Sequence, residues 1–267
     1  MGIAETIPGI SGSTIALFLG IYEKLILTLN NFLPNNLLKI IKAKNNDRKK
    51  LIKKLNISFI TFLMIGMVLS VFTFSHIMSY LFEFHKLALL TFFIGFILSS
   101  SIISGKKYFK KQNIIPIGLG FLFGISLLLL SPKDLLSTSP ISILISGIIT
   151  ITFGLLPGVS GSFMLLIIGK YEYILHAVKD FNLPTIFFFA LGMIIGILIF
   201  IKLIKHILEN HKSNLFSFFF AFILGSITIL IKDAYNVFFI NEILIVILYL
   251  IVGTLCGICI NKYFKEN

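Results

Sequence analysis

The sequence predicts an all-α polytopic membrane protein with about six full spans and two re-entrant segments. Of its 267 residues, 57% are hydrophobic and only 13% are charged, and the mean hydropathy is +1.01. A soluble domain carries roughly twice that share of charge. Several apolar runs approach the ~20 residues that cross a ~30 Å hydrocarbon core as a helix, and none shows the period-2 alternation of an outer-membrane strand.

We predict one full span for each apolar run between two polar breaks. These spans lie near residues 55–82, 86–105, 114–131, 184–204, 214–231 and 242–262. Two further apolar segments, 1–30 and 140–180, are each interrupted by Pro-Gly-x-Ser-Gly. Proline lacks the amide donor and glycine permits conformations closed to other residues, so a helix does not continue smoothly through this motif. We therefore predict that each segment is a hairpin of two half-helices.

The two interrupted segments are copies of each other. PGISGSTIALFLGIYEKL occupies residues 8–25, and PGVSGSFMLLIIGKYEYI occupies residues 157–174, 149 positions later. The repeat continues beyond these segments at an offset of 126 positions. The residues that recur there are Glu83, His85-Lys86 and Phe92-Phe93. The repeat divides a single transmembrane domain, 1–267, into copy one (1–105), a linking span (106–139), copy two (140–232) and a C-terminal span (233–267).

The formal charge of +12 is concentrated in short clusters at the ends of apolar runs, at 39–54 and 106–111. This distribution is typical of cytoplasmic loops beside anionic lipids and excludes nucleic acid as a partner. If both motif segments return to the side they left, three spans separate them and the second copy is inverted. That topology places seventeen of the 23 lysines and arginines on the cytoplasmic side, together with both termini.

The two helix breaks predict an anion site. A break inside hydrocarbon leaves backbone groups that protein, water or a ligand must satisfy. The half-helices that begin near Ser11 and Ser160 direct free amides and a positive dipole end into the membrane, an environment that suits phosphate. The predicted phosphate-binding residues are Gly9, Ser11, Gly12, Ser13, Gly158, Ser160, Gly161 and Ser162, and the predicted breaks are Pro8 and Pro157. The alternative is that the glycines only permit close helix packing and the serines satisfy the broken turns.

A Tyr-Glu pair ends each motif. Glu23 and Glu172 lie eleven residues beyond Gly12 and Gly161, about 16 Å along a helix, and so near the far end of the second half-helix. Each glutamate either approaches the gate of the opposite copy, as a gating or coupling residue, or caps its helix at the membrane surface. Tyr22 and Tyr171 either share that role or are interfacial anchors.

Other motifs predict packing rather than chemistry. Cys256 and Cys259 form a C-x-x-C inside an apolar run, where we expect small packing residues of a lipid-embedded helix rather than a redox pair. Three Gly-x-x-x-Gly pairs, beginning at Gly120, Gly192 and Gly253, are typical of closely packed membrane helices. The sequence holds no metalloprotease motif, nucleophile elbow or intramembrane Asp or Arg cluster, so we predict a transporter without a cofactor rather than an enzyme.

The repeated motifs, followed by FFIGFILSS and FFFAFILGS, resemble the bacterial and archaeal polyprenyl-phosphate transporter family over nearly the whole chain. The resemblance implies a translocase of the bacterial cytoplasmic membrane that returns undecaprenyl phosphate, the lipid carrier of cell-wall precursors, from the outer to the inner leaflet. On this basis we expect alternating access: the headgroup binds between the two tips while the polyprenyl tail stays in lipid, driven by a proton or sodium gradient. The resemblance sets no oligomeric state.

The sequence departs from the family pattern in two places. The family usually has a second glycine where this chain has Ser13. Only seven residues precede Pro8, too few for the half-helix that 140–156 supply in copy two, so we expect a shortened or truncated first hairpin. The rival functions are a transporter of a small soluble anion, which shares every feature derived from the residues, and an intramembrane lipid phosphatase.

Overall fold

The computed structural model describes residues 1–5, 10–129 and 139–266, and every regular element in them is helical. The all-α prediction is therefore confirmed for the described part of the chain. The helices are α1 (Gly2–Glu5), α2 (Gly12–Phe18), α3 (Tyr22–Asn31), α4 (Pro34–Lys42), α5 (Asn45–Lys54), α6 (Ile57–Phe84), α7 (Lys86–Gly105), α8 (Ile114–Ser126), α9 (Pro140–Leu155), α10 (Gly161–Ile167), α11 (Tyr171–Lys179), α12 (Leu183–Tyr235) and α13 (Ile243–Glu266).

Five helical stretches in these ranges are long and apolar enough to cross a membrane, or six if the bent pair α2 and α3 counts as one span. They are Asp47–Phe74, which covers most of α5 and the first part of α6, then α7, α8 with its flanking 3-10 turns, α12, and Ile240–Tyr263, which covers most of α13. The chain is thus a multi-pass membrane protein. Residues 130–131 of the predicted span 114–131 lie outside the described residues.

The predicted spans 184–204 and 214–231 are the two halves of one long element, α12, which consists of two helices that meet at a kink. Both belong to α12, whose 53 residues are interrupted only at His211, where φ is −137° and ψ is 40°. At 1.5 Å per residue an unbroken helix of this length would measure about 80 Å, far more than a bilayer core requires. The non-helical residue kinks α12 between its two apolar halves. His85, between α6 and α7, has nearly the same backbone conformation, with φ −132° and ψ 35°.

Most of the basic segment 39–54 is helical: it comprises the end of α4, residues 43–44 and α5. Lysines cluster in the last turn of both helices, at Lys39, Lys42, Lys53 and Lys54. Cations at a helix C-terminus face the negative end of its dipole, which favours this placement.

Glycines set the close helix contacts, as the Gly-x-x-x-Gly pairs predict. A Cβ at Gly253 would lie 2.0 Å from the Phe92 carbonyl oxygen, and one at Gly257 would lie 2.8 Å from that of Phe96. Residue numbers rise together along the contact, so α13 runs parallel to α7. In the same way, a Cβ at Gly120 would collide with the backbone of Phe218, and one at Gly124 with the backbone of Phe222. The residue numbers again rise together, so α8 runs parallel to the second half of α12.

The first half of α12 packs on α9 in the same manner. A Cβ at Gly192 would lie 2.0 Å from the Leu144 carbonyl oxygen, and one at Gly196 would lie 3.0 Å from that of Ile148. The numbers again rise together, so these two helices are parallel. All three predicted glycine pairs therefore form faces where a methyl group would collide with backbone.

The centre of the molecule is an antiparallel pair made by α7 and the second half of α12. Gly105, at the end of α7, meets Phe220, whereas Ile97, two turns earlier, shares a void with Ile223 and Ile227. These two helices are the copies related by 126 positions in the repeat. Phe219, Phe220 and Ile223 are almost fully buried between them, together with much of the apolar core.

The second half-helix of each motif is shorter than predicted. α2 ends at Phe18 and α10 at Ile167, because Gly20 and Gly169 both have φ +71°, a left-handed conformation that stops a helix. α3 then leaves α2 at an angle of 117°. The prediction that the Tyr-Glu pair lies at the far end of the same half-helix is wrong: it begins a new helix in both copies.

Candidate functional site

The two Pro-Gly-x-Ser-Gly motifs meet in the interior. The Ser11 hydroxyl donates to the Gly154 carbonyl oxygen at 3.2 Å, and the Gly158 amide donates to the Thr14 hydroxyl at 2.8 Å. Pro157 and Gly158 are buried, as are Ser11, Gly12 and Ser13. Two of the predicted residues, Pro8 and Gly9, lie outside the described residues. The structure thus brings the described parts of both motifs into contact across 143 and 144 positions of sequence.

The N-terminus of α2, which we call tip one (residues 10–14), already holds an anion supplied by the chain. The Glu5 carboxylate accepts the Gly12 amide at 2.8 Å. The Ser11 hydroxyl accepts the Ser13 amide at 3.2 Å and also bonds the Ser13 hydroxyl, while the Thr14 amide donates to the Ser11 carbonyl oxygen. A carboxylate beside the first amides of a helix is stabilised by the positive dipole end. The amides of Gly12, Ser13 and Thr14, the first three of α2, are therefore satisfied internally.

The N-terminus of α10, which we call tip two (residues 157–163), has the same motif with different neighbours. The Ser160 and Ser162 hydroxyls share a hydrogen bond of 2.7 Å, but Ser160 makes no capping bond to the backbone of α10. Ser160 is buried, whereas Ser162 is exposed. Tip two therefore presents the start of a helix without the internal caps of tip one.

The difference follows from one position of the repeat. Glu5 corresponds to Gly154 at the offset of 149. A Cβ built on Gly154 would lie 3.8 Å from the Gly161 amide nitrogen, an ordinary van der Waals separation. Tip two thus has room at the position where tip one has a carboxylate.

Glycine is required at two positions of tip two. Gly158 has φ +112°, which side-chain-bearing residues rarely adopt. A Cβ at Gly161 would lie 2.3 Å from the Thr150 carbonyl oxygen of the preceding half-helix. The packing explanation for the motif glycines is therefore correct for Gly161, and it is compatible with a ligand role for the neighbouring amides.

The tips leave almost no space between them. The void that Thr14 and Gly158 share with Ile97 and Ile223 measures about 10 Å³, roughly the volume that one water needs. The described conformation is closed around the two motifs, and a phosphate would require the tips to separate.

The two tyrosines of the Tyr-Glu pairs are not equivalent. Tyr22 is 1% exposed, donates its hydroxyl to the Leu155 carbonyl oxygen at 3.1 Å, and packs edge-on against Phe219. Tyr171 is 40% exposed. The interfacial-anchor prediction is therefore wrong for Tyr22, which links α3 to the end of α9.

The two glutamates also differ. Glu23 forms an ion pair with Lys212, which follows the kink of α12, so a copy-one carboxylate reaches a copy-two lysine. Glu172 is exposed, and the equivalent lysine, Lys86, lies over the Phe82 ring instead. Of the two equivalent glutamate and lysine pairs, Glu23 and Lys212 form an ion pair, whereas Lys86 contacts an aromatic ring. Because both partners of the ion pair are more than a third exposed, the pair contributes only ~0.2–1 kcal/mol.

A cavity of about 400 Å³ adjoins this ion pair. We call it the basic pocket and define it by its polar lining: Glu23, Ser104, Lys106, Lys107, Lys212 and Asn261. Its apolar walls include Phe18 of α2 and Phe216 and Phe220 of α12. At its base, buried Asn261 accepts the Ser104 hydroxyl and donates to the Gly257 carbonyl oxygen at 2.8 Å.

A family described as undecaprenyl phosphate translocase-like matches residues 1–243. The chain belongs to this family. Among its relatives, a polyprenyl-phosphate transporter of Vibrio cholerae serotype O1 is 34% identical, over 85% of this chain and 73% of that protein. A polyprenyl-phosphate transporter of Staphylococcus aureus is 27% identical, over 85% of this chain and 81% of that protein. No solved structure matches the chain.

Sequence reasoning missed three groups at the site. Glu5 is the only acidic residue before the first motif. Its alignment with Gly154 in the repeat could have indicated that the two tips differ. The His-Lys pair that recurs in both copies could have indicated Lys212. Lys106 and Lys107 lie in a basic cluster that the sequence assigns to a loop, and only folding brings them beside α3 and α12.

Proposed function

We propose that this chain is a translocase for undecaprenyl phosphate, which moves the phosphate headgroup from the outer to the inner leaflet of the bacterial cytoplasmic membrane. The observation that carries the proposal is the contact between two interrupted helices in the interior, Ser11 to Gly154 and Thr14 to Gly158. Helix breaks at membrane depth are tolerated where they line a site, and paired breaks mark the substrate sites of transporters. The names of the two relatives support polyprenyl phosphate as the substrate.

The proposed architecture is an inverted repeat with two re-entrant hairpins. Its support is the antiparallel contact of α7 with the second half of α12, which are equivalent helices of the two copies. Two equivalent helices that run antiparallel are related by an axis in the membrane plane, as in transporters with inverted repeats. Lysines at the end of α7, around the kink of α12 and at the end of α13 then share one side, which is the cytoplasmic side by the positive-inside rule.

The proposed phosphate-binding residues are those of the two motifs, with tip two as the principal site. In tip one, Glu5 already supplies a negative charge to the Gly12 amide. At the equivalent position of tip two stands Gly154, which supplies no carboxylate to the Gly161 amide. A second anion at tip one would be repelled by Glu5, so the internal carboxylate favours one headgroup per cycle rather than two.

Alternating access is the proposed mechanism. The void of about 10 Å³ between the tips requires a rearrangement before a phosphate can enter. One end of the molecule is joined by Glu23 and Lys212, while the equivalent Glu172 and Lys86 are not joined. We propose that the second pair forms as the first opens, so that the two halves rock about the tips. A proton or sodium gradient is the proposed driving force.

A leaflet-resolved translocation assay tests the function. Purified protein is reconstituted into vesicles with a fluorescent polyprenyl phosphate, with and without an imposed proton or sodium gradient. We expect protein-dependent movement of the headgroup across the bilayer, without release of inorganic phosphate. Uptake of labelled inorganic phosphate without lipid movement would favour the soluble-anion transporter, and phosphate release from the lipid would favour the phosphatase.

The site assignment is tested in the same vesicles by Ser160→Phe and by the double variant Ser11→Phe/Ser160→Phe. Both should abolish headgroup movement because the ring fills the space beside the tips. Ser58→Phe, on the exposed face of α6, is the matched control. Normal translocation by a well-folded double variant would contradict the assignment.

A further inference from the structure

The basic pocket carries features of an anion site that the two motifs do not explain. Three lysines and one glutamate line it, so its charge is 3 − 1 = +2. Lys106 and Lys107 follow α7, Lys212 follows the kink of α12, and Glu23 begins α3. The lysines converge on this cavity from two parts of the chain that are more than 100 positions apart. The Glu23 carboxylate pairs with Lys212, so the charges of Lys106 and Lys107 have no carboxylate partner among the residues that line the cavity.

We propose that the basic pocket binds the phosphate monoester headgroup of a lipid, and that Glu23 is the carboxylate that this headgroup displaces from Lys212. The inference rests on the proposed function and adds a second station for the same substrate. A phosphate monoester carries up to two negative charges at neutral pH, which match the +2 charge of the pocket. Lysine ammonium groups bind phosphate oxygens as point charges with several donors each.

The Glu23–Lys212 pair makes the exchange feasible. Both side chains are partly exposed, at 37% and 48%, and exposed pairs of this kind are weak and readily broken. A phosphate that approaches Lys212 replaces one carboxylate with a group of higher charge. Glu23 then turns away from Lys212, because two anions on one lysine repel each other. Binding of the headgroup therefore opens the contact that joins copy one to copy two.

The walls of the pocket favour a lipid over a free phosphate. Leu17, Phe18, Phe216 and Phe220 line the cavity beside the lysines. A soluble anion gains nothing from this apolar surface, whereas the first isoprene units of a polyprenyl chain bury against it. The volume of about 400 Å³ is also far larger than a phosphate alone requires.

The pocket is connected to the tips through three residues. Leu17 and Phe18 form the last turn of α2, whose first residues are tip one. Tyr22 lines the pocket on one side and donates to the Leu155 carbonyl oxygen, two residues before the tip-two proline, on the other. Loss of the Glu23–Lys212 contact at the start of α3 is thus transmitted to the neighbourhood of both tips.

Direct binding to the full-length protein in detergent tests the proposal. The probes are farnesyl phosphate, inorganic phosphate and farnesol, with calorimetry as the readout. The variants are Lys106→Gln/Lys107→Gln, Lys212→Gln and Glu23→Gln. The matched control is Lys110→Gln/Lys111→Gln, which removes two charges from the same connection outside the basic pocket. Each variant is first checked for a single symmetric peak by size-exclusion chromatography.

We expect the Lys106→Gln/Lys107→Gln variant to bind farnesyl phosphate about tenfold more weakly, and the control to bind it within about twofold of the native protein. Glu23→Gln should bind more tightly, because Lys212 no longer has an internal partner. A gain of affinity cannot arise from misfolding, so this variant keeps the test decisive if a lysine variant is unstable. Farnesol should bind without sensitivity to any of these changes.

Three results would overturn the proposal. The first is an equal loss in the control, which would reduce the effect to general surface charge. The second is unchanged or weaker binding by Glu23→Gln. The third is inorganic phosphate binding as tightly as farnesyl phosphate, which would make the pocket a site for a soluble anion.

The vesicle assay separates this proposal from the proposed function. Lipid translocation that is unaffected by well-folded pocket variants would contradict the pocket and leave the function intact. Lysine-dependent binding of farnesyl phosphate by a native protein that moves no lipid would contradict the function and leave the pocket intact.

Discussion

The two tips share one sequence motif and differ in what surrounds it. Tip one is closed by its own chain: Glu5 bonds the Gly12 amide, and Ser11 bonds the Ser13 amide and the Gly154 carbonyl oxygen. Tip two has a glycine in place of that glutamate and no capping bond from Ser160. The difference shows that duplication of a motif does not duplicate its hydrogen bonds, because these depend on the residues that surround each copy.

The largest effect should come from the glycine contacts of the tips. Gly161→Ala places a methyl group 2.3 Å from the Thr150 backbone oxygen, whereas the closest atom to a methyl at Gly12 is the movable Glu5 carboxylate oxygen, at 2.7 Å. We expect Gly161→Ala to lower the free energy of unfolding by about 3 kcal/mol and Gly12→Ala by about 1 kcal/mol. Thermal unfolding in detergent measures both.

The control for this comparison is Gly66→Ala or Gly118→Ala, since neither methyl meets an atom within 4 Å. Each should leave stability unchanged or raise it by up to about 1 kcal/mol, as alanine is the better helix former. An equal cost for Gly161→Ala and Gly12→Ala would mean that the two tips are packed alike.

The next largest effect should come from a substitution that gives tip two the carboxylate of tip one. Gly154→Glu places a carboxylate at the position equivalent to Glu5, beside the Gly161 amide. Because this carboxylate competes with the headgroup for the same donors, we expect translocation to fall at least tenfold, which corresponds to about 1.4 kcal/mol. The readout is lipid movement in reconstituted vesicles. Gly154→Gln, of the same size without the charge, should keep most of the activity, and equal inactivation of both variants would refute the anion argument.

A smaller effect should distinguish the role of Ser11 in stability from the role of Ser160 in transport. Ser11→Ala removes a cap and a bond to Gly154, so it should lower the free energy of unfolding by about 1–2 kcal/mol. Ser160 bonds the Ser162 hydroxyl, so Ser160→Ala should cost less than about 1 kcal/mol and reduce translocation instead. Denaturation and transport measured on the same preparations check this division. A stability loss that is larger for Ser160→Ala would reverse the assignment of the two tips.

The smallest effect, that of Glu5→Gln, isolates the charge of Glu5. Glu5→Gln keeps an acceptor for the Gly12 amide and should cost less than about 1 kcal/mol, whereas Glu5→Ala leaves that amide without an acceptor and should cost about 1–3 kcal/mol. Thermal unfolding of the two variants at one pH provides the comparison. If both variants lose the same stability, the negative charge itself, rather than the hydrogen bond, holds tip one closed.

Much of the fold could be predicted from the sequence, because apolar length and helix breakers act locally. The spans at α6, α7 and α13 and the glycine faces lie where the runs and the Gly-x-x-x-Gly pairs place them. The two halves of α12 were predicted as separate spans, and the kink at His211 divides them into two helices. The early end of α2 was missed, since Gly20 carries a left-handed conformation that composition does not reveal.

By itself, the sequence determined that this chain crosses the membrane as helices, that it is duplicated, and that two of its helices are broken. These features depend on hydrophobicity and backbone freedom, which each residue carries with it. Only the tertiary structure decided that Glu5 closes one tip, that Tyr22 is buried against α9, and that Glu23 pairs with Lys212 beside a basic pocket. Such contacts join residues up to 189 positions apart, and the geometry of packed helices, not local propensity, selects them.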